Sequence, residues 1–134
     1  MSIKISKNHI HGCKEFTVYL IINDDLKMSK GKIASQCAHA ILDVYRFMID
    51  SDSINNKIWE HNGEKIVTLK ASFNTIKELL DTYHERVFKK NKLNVFPIYD
   101  AGRTEVSAGS LTVLATTPIT DDVKPEIIKL LKLL

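Results

Sequence analysis

The chain has 134 residues, of which 44% are hydrophobic and 26% are charged, and its formal net charge is +3 at pH 7. These values are typical of a globular domain with one core, and the mild positive charge is compatible with a nucleic-acid partner without requiring one. No apolar run reaches the roughly 18 residues of a membrane span, so we expect no membrane partner. Cys13 and Cys37 have no Cys or His at metal-ligand spacing, which favours a reduced, cytoplasmic protein.

Residues 1–15 contain no continuous apolar segment and no small-residue cleavage site, and we interpret them as an N-terminal tail or extension. His9 and His11 stand two residues apart, a spacing that can suit a metal, but a polar tail is the simpler interpretation. Residues 16–134 contain no linker, repeat or low-complexity segment, which predicts a single domain.

Apolar runs and helical periodicities alternate along residues 16–134. Residues 16–22 predict a buried strand, and residues 29–49 predict a long helix that begins at the N-cap Ser29. A polar break at 50–56 precedes Trp59, the single tryptophan, which we expect to anchor the core. The later elements are predicted as a short helical turn at 57–63, a strand at 65–70, a helix from Ser72 or Asn74 to about Val87, strands at 95–99 and 111–116, and a final helix from Thr120 or Asp121 with apolar positions Ile127, Ile128, Leu131 and Leu134.

This order of strands and helices predicts an α/β fold, with helices on both faces of a sheet in a three-layer α/β/α arrangement. The connection between the third and fourth strands is too short for a helical crossover, so these two strands should be antiparallel. We therefore expect a mixed four-stranded sheet with one antiparallel strand. Pro97 cannot donate a ladder hydrogen bond, which places the third strand at an edge or a bulge.

The long helix carries an unusual border. Its predicted buried stripe is Ile33, Cys37, Ile41, Val44 and Met48, and a line of polar residues runs beside it: Lys32, Gln36, His39 and Asp43. This line starts at the helix N-terminus, where free N–H groups and partial positive charge favour anions. The plainer interpretation is a solvated flank, and this stretch alone does not decide between the two.

A second unusual stretch is the polar connection from Asp100 to Thr112. It is longer than a hairpin requires, and loops on a rigid sheet are common positions for functional groups. It offers a carboxylate, a guanidinium and hydroxyls on Asp100, Arg103, Thr104 and Thr112. An Asp-Gly turn with Arg103 in a salt bridge explains the same residues without a function.

Several chemistries do not fit the residues present. The sequence has no Gly-x-Ser-x-Gly elbow, no complete P-loop, no Gly-x-Gly-x-x-Gly loop and no credible zinc spacing. Cys37 lies on the apolar stripe, where an inert core residue is the simpler interpretation than a nucleophile. The Lys, Asp, Thr, Gln and His side chains that remain suit a metal-free hydrolysis by water.

Both unusual stretches resemble peptidyl-tRNA hydrolase of the second type, the archaeal and eukaryotic class. The resemblance covers residues 16–134 in order, and its specific motifs are the two stretches 25–40 and 100–104, followed by Gly109, residues 112–115 and the ending 131–134. Asn23 departs from the family, which often has Arg there.

The resemblance implies hydrolysis of the ester between a peptide, or an N-blocked amino acid, and the terminal ribose of tRNA. It also implies a homodimer, no metal and no cofactor. The family's catalytic roles fall on Lys32, Asp100, Thr104 and Thr112. Residues that we expect to bind the substrate or its tRNA part are Lys27, Lys30, Gln36, His39 and Arg103. Of these, Lys27, Lys30 and Arg103 are the candidates for the tRNA phosphates. The alternative is a non-catalytic module that binds RNA or a protein with the same basic surface.

Overall fold

The computed structural model describes residues 15–83, 89, 92–102, 107 and 109–134. The strands are β1 (Val18–Asn23), β2 (Ile66–Ala71), β3 (Val95–Tyr99), β4 (Leu111–Thr116) and β5 (Lys132–Leu133). The helices are α1 (Lys30–Ser51), α2 (Ser53–His61), α3 (Phe73–Tyr83) and α4 (Glu126–Lys129), and a 3-10 turn at Asp24–Leu26 follows β1.

The five strands form one mixed sheet in the order β3-β4-β1-β2-β5. Strand β1 is parallel to β2, and β4 is antiparallel to both β1 and β3, so β1 and β3 run in the same direction. The prediction of a mixed sheet with antiparallel third and fourth strands is confirmed, as is the edge position of Pro97. The predicted number of four strands is wrong, because β5 adds an antiparallel edge beside β2.

The error at the chain end has a physical cause. A helix beginning at Thr120 would contain Pro125, which lacks an N–H and clashes with the preceding turn. The helix therefore begins only after Pro125, at α4, and it ends at Lys129. The segment beyond it is extended, and Lys132 and Leu133 pair with Lys70 and Leu69 of β2.

Two apolar clusters contain the core, and β1 contributes alternate side chains to each of them. Tyr19 and Ile21 join the cluster that includes Ile76 and Leu79 of α3. The other cluster takes the remaining β1 side chains together with residues of α1 and α2, namely Val18, Leu20, Ile22, Ala40, Val44, Met48 and Trp59. This alternation explains why the five apolar residues of β1 are all buried.

Helix α2 begins inside the stretch that the sequence predicted as a polar break. The Asp52 carboxylate accepts a hydrogen bond from the backbone N–H of Asn55 and a second from its side-chain amide at 2.7 Å. A polar run can therefore start a helix when its acidic residue caps the first turn. Trp59 is 2% exposed, and its indole N–H donates to the carbonyl of Lys65 at 3.0 Å. Its predicted role as a core anchor is confirmed.

We expect Trp59→Ala to lower the free energy of unfolding by about 3–5 kcal/mol, because it removes a large buried side chain and leaves a cavity. Leu42→Ala is the matched control: Leu42 is 46% exposed, so the loss should be about 0.5 kcal/mol or less. Urea denaturation followed by circular dichroism measures both. Equal effects of the two substitutions would contradict the assignment of Trp59 to the core.

Candidate active site

The two unusual stretches of the sequence lie at one end of the sheet. Because β1 and β3 run in the same direction, their carboxyl ends lie at the same edge. The connection from β1 to α1 starts there, and so does the connection from β3 to β4. The first turn of α1 and the end of β3 are thereby brought into contact.

Lys32 lies in the first turn of α1. The hydroxyl of Ser29 caps this helix by accepting a hydrogen bond from the backbone N–H of Lys32 at 3.2 Å. The side chain of Lys32 forms an ion pair with Asp100 through Nζ and Oδ1. Only 8% of Lys32 and 5% of Asp100 is exposed, so the pair is largely shielded from water.

Backbone hydrogen bonds fix the orientation of Asp100. Its second carboxylate oxygen accepts the N–H of Gly102 at 2.6 Å, while its carbonyl accepts the N–H of Gly109 at 2.8 Å. Both glycines have positive φ angles, 78° and 82°, which side chains with a Cβ rarely adopt. The glycines of this loop therefore serve to hold one carboxylate in place.

The pKa of Asp100 lies below the usual range for a carboxyl group. The main cause is the hydrogen bond from the Lys32 ammonium, which outweighs the opposite effect of burial, and the N–H of Gly102 adds to it. Asp100 is therefore an anion under all physiological conditions. Such a carboxylate is a weak base, but it can orient a water molecule and a cation permanently.

Thr112 faces α1 because of a β-bulge. The register between β3 and β4 shifts between Ile98 and Tyr99, so that Thr112 is an extra residue beside Val113. Both side chains then point toward α1: Val113 joins the core cluster of that helix, and the hydroxyl of Thr112 donates to Gln36 Oε1 at 2.6 Å. The same hydroxyl lies 3.1 Å from the carbonyl of Ile98, so its position is fixed from two sides.

The buried face of α1 differs from the predicted one. Its buried residues are Lys32, Gln36, Ala40, Val44 and Met48, whereas Ile33, Cys37 and Ile41 are only half-buried. The interpretation as a solvated flank is therefore wrong for Lys32 and Gln36, although it holds for the exposed His39 and Asp43. At the start of the helix, the buried positions are taken by the polar residues Lys32 and Gln36 because this turn packs against the site and not against the core.

Two polar residues that the sequence did not indicate as part of the site hold the turn between β1 and α1. Asn23 donates its side-chain N–H to the carbonyl of Leu111 at 2.9 Å and accepts the N–H of Asp25, which ties the end of β1 to the residue before Thr112. Asp25 accepts the N–H of Phe73 at 2.9 Å and so caps α3. The only signal for Asn23 was a polar residue directly after a buried strand.

A cleft of about 590 Å³ extends from the ion pair between α1 and β3. Lys32, Gln36, His39 and Asp43 line it on the helix side, and residues 97–101 line it on the strand side. Another cavity, of about 320 Å³, lies elsewhere, and none of the predicted site residues line it. The cleft is therefore the space that the predicted residues share.

The predicted site residues fall into three groups. The structure brings Lys32, Gln36, Asp100 and Thr112 together, and His39 lines the same cleft. Lys27 and Lys30 are exposed before and at the start of α1. Arg103 and Thr104 lie outside the described residues. In the part of the chain that the structure describes, no three His, Cys, Asp or Glu residues are grouped so that they could hold a metal ion.

We predict a distinctive pH dependence for Asp100. Folding lowers the pKa of Asp100, so its ionised form stabilises the folded protein. This contribution is complete above the unfolded pKa of about 3.9, and it is lost as the pH falls through the lower folded pKa. The difference in unfolding free energy between wild type and Asp100→Asn should thus be constant between pH 7 and about pH 5 and shrink at lower pH. Urea denaturation at several pH values measures it; a difference that grows on acidification would contradict the ion pair.

Comparisons of the sequence with known proteins identify its family. The family model Peptidyl-tRNA hydrolase PTH2 matches residues 16–134. The chain is 40% identical to "Peptidyl-tRNA hydrolase 2, mitochondrial" of Bos taurus over 78% of its length and to "Probable peptidyl-tRNA hydrolase 2" of Schizosaccharomyces pombe over 74%; these alignments span 56% and 46% of the relatives, about half their length. It is 38% identical to "Peptidyl-tRNA hydrolase" of Methanococcus maripaludis, over 86% of this chain and 96% of the relative. The chain belongs to the peptidyl-tRNA hydrolase PTH2 family.

Proposed function

We propose that the protein hydrolyses the ester bond between the peptide, or an N-blocked amino acid, and the terminal ribose of tRNA, and so releases free tRNA. The observation that carries this proposal is the shielded Lys32–Asp100 pair at the head of a cleft. Ester hydrolysis needs a positive group near the carbonyl oxygen and an oriented water, and the pair supplies both.

The proposed reaction proceeds in two steps. Water attacks the ester carbonyl, and the negative charge that develops on its oxygen is stabilised by the Lys32 ammonium. Asp100 orients this water. As the ester C–O bond breaks, one proton of the water passes to the ribose oxygen, which leaves as a hydroxyl, and the other is released to solvent as the peptide leaves as a carboxylate. The hydroxyl of Thr112 is fully buried and donates to Gln36, which lines the cleft, so we assign Thr112 to positioning the water through Gln36. We assign Thr104 the same role of positioning the water.

The tRNA is proposed to bind on the basic side of the pair. Lys27 and Lys30 are exposed there, and the family motif adds Arg103. These cations suit phosphate groups, which provide affinity without reading the base sequence. Gln36 and His39 line the cleft and are proposed to contact the part of the substrate next to the ester.

The remaining family properties are also proposals for this chain: a homodimer, a cytoplasmic location, independence of metal ions, a single domain at 16–134 and a three-layer arrangement. Two core clusters that share the side chains of β1 support the three layers. No helix among the described residues has the length and apolar character that crossing a membrane requires.

We expect Lys32→Ala and Asp100→Ala each to lower the turnover number about 100-fold or more, since one preorganised electrostatic group commonly has an effect of this size. The assay follows release of free tRNA from N-acetylaminoacyl-tRNA, with circular dichroism as the check on folding. Asp50→Ala is the control, because this exposed carboxylate lies near the far end of α1 and does not line the cleft.

Near-normal turnover of both folded variants would show that the site is elsewhere. The same assay with a chelator tests metal independence, on an N-blocked aminoacyl ester of a short 3′ fragment so that unfolding of tRNA does not interfere. Lost activity that one divalent metal restores would contradict the proposed mechanism. Binding of the substrate without any hydrolysis by the wild type would favour the non-catalytic module instead.

We further expect tRNA binding to weaken steeply with salt. Each phosphate contact adds about 0.7–0.9 to the slope of log K against log salt, because counterions are released. Lys27→Ala and Lys30→Ala should each reduce the slope by about this amount, whereas Lys77→Ala on α3 should not change it. Fluorescence anisotropy at several salt concentrations measures the slope; equal slopes for all three variants would contradict the assigned tRNA side.

A further inference from the structure

The cleft has an unusual wall: one side of it is the open edge of the sheet. Strand β3 is the first strand of the order, and no other strand of the described residues pairs with its outer side. An open edge presents unpaired N–H and C=O groups and can therefore accept a further extended chain. Here the open edge leads directly to the Lys32–Asp100 pair.

The register shows which groups face the cleft. In an antiparallel pair, residues whose N–H and C=O point to the partner alternate with residues whose groups point away. Asn94 accepts the N–H of Thr117 and Asp100 donates to Ser110, so the residues with even numbers bond to β4. The outward groups near the site are therefore the C=O of Pro97 and the N–H and C=O of Tyr99.

Pro97 fits this arrangement. It lies at an outward position, where its missing N–H costs the sheet no ladder bond. The proline thus limits unwanted pairing at the edge but leaves its carbonyl available as an acceptor. In the direction of Asp100, the open edge therefore presents the C=O of Pro97 as an acceptor, the N–H of Tyr99 as a donor and the C=O of Tyr99 as a second acceptor.

The charges in the cleft favour the peptide over the RNA as its occupant. Beyond Lys32, the helix wall is formed by Ser35, Gln36, His39 and Asp43, and the carboxylate of Asp43 would repel a phosphate. The exposed cations Lys27 and Lys30 do not line the cleft. Along α1, the distance from Lys32 to Asp43 is about 16 Å, which is long enough for several extended residues.

We propose that the peptide part of the substrate binds as an added strand, parallel to β3, with its ester carbonyl at the Lys32–Asp100 pair. This inference rests on the proposed function and names how the same site holds its substrate. In a parallel pair, Tyr99 C=O accepts the N–H of the first peptide residue, counted from the ester. Tyr99 N–H donates to the C=O of the third residue, and Pro97 C=O accepts the N–H of that residue.

Recognition through the backbone explains how one cleft can take peptides of any sequence. The second peptide residue makes no hydrogen bond with β3, because its N–H and C=O point away from it. The proposal therefore predicts that only every second peptide residue hydrogen-bonds to β3. Recognition of side chains or of RNA would not produce this period of two.

The first experiment uses N-acetylated tripeptides joined by a stable amide to 3′-amino-3′-deoxyadenosine, so that every residue has one amide N–H and binding is measured without hydrolysis. N-methylation of the third residue should raise Kd about fivefold or more, the size expected for one lost hydrogen bond, while N-methylation of the second should change it less than about twofold. Equal effects at both positions, or none at either, would overturn the proposal.

The second experiment uses the protein backbone. Tyr99→Pro removes the outward N–H, while Tyr99→Ala removes the ring and keeps the N–H. The tripeptide analogue should bind about tenfold more tightly than the N-acetylaminoacyl analogue in wild type and in Tyr99→Ala, and this ratio should fall in Tyr99→Pro. A ratio near one in wild type would contradict the added strand and leave the cleft to the tRNA end.

The two proposals can fail separately. Both experiments measure binding of a non-hydrolysable analogue. The difference between N-methylation of the third and of the second residue is therefore expected even if the protein releases no tRNA. Hydrolysis without the period of two would instead keep the function and reject the added strand.

Discussion

One ion pair organises this end of the molecule. Lys32 comes from the first turn of α1 and Asp100 from the end of β3, and a shielded pair of opposite charges requires both to be held in place. The surrounding contacts meet that requirement: Ser29 caps the helix, Asn23 ties the preceding turn to β4, and the N–H of Gly102 fixes the carboxylate. The local geometry of two connections, from β1 to α1 and from β3 to β4, thus serves a single contact.

The same constraint gives the site its chemical character. The groups lie on the ends of a buried strand and a capped helix, so they are preorganised and need no rearrangement when charge develops on a substrate. The β-bulge at Thr112 turns the hydroxyl of this residue toward Gln36 of α1. Because β3 is also an edge strand, the site continues into a backbone surface that can hold an extended chain. In the proposed mechanism, catalysis and peptide binding are then two properties of one strand end.

Much of this architecture could be predicted from the sequence, since β1, the long helix and the antiparallel pair follow from hydrophobic patterns and connection length. The fifth strand could not, because two residues give no periodicity and depend on the neighbouring β2. The buried face of α1 differs from the predicted stripe because Lys32 and Gln36 are buried by contacts within the site and not by the apolar core. The site residues came from motif resemblance, whereas Asn23 and the bulge at Thr112 depend on distant partners that no local pattern reveals.

The most direct test of the account is a double-mutant cycle on turnover with Lys32→Met and Asp100→Asn. If the pair acts as one unit in ester hydrolysis, removing the second partner should cost little once the first is gone. The account predicts that the double variant is no more than about threefold slower than the slower single variant. Losses that multiply fully in the double variant would show that the two residues act independently, and would contradict the central role of the pair.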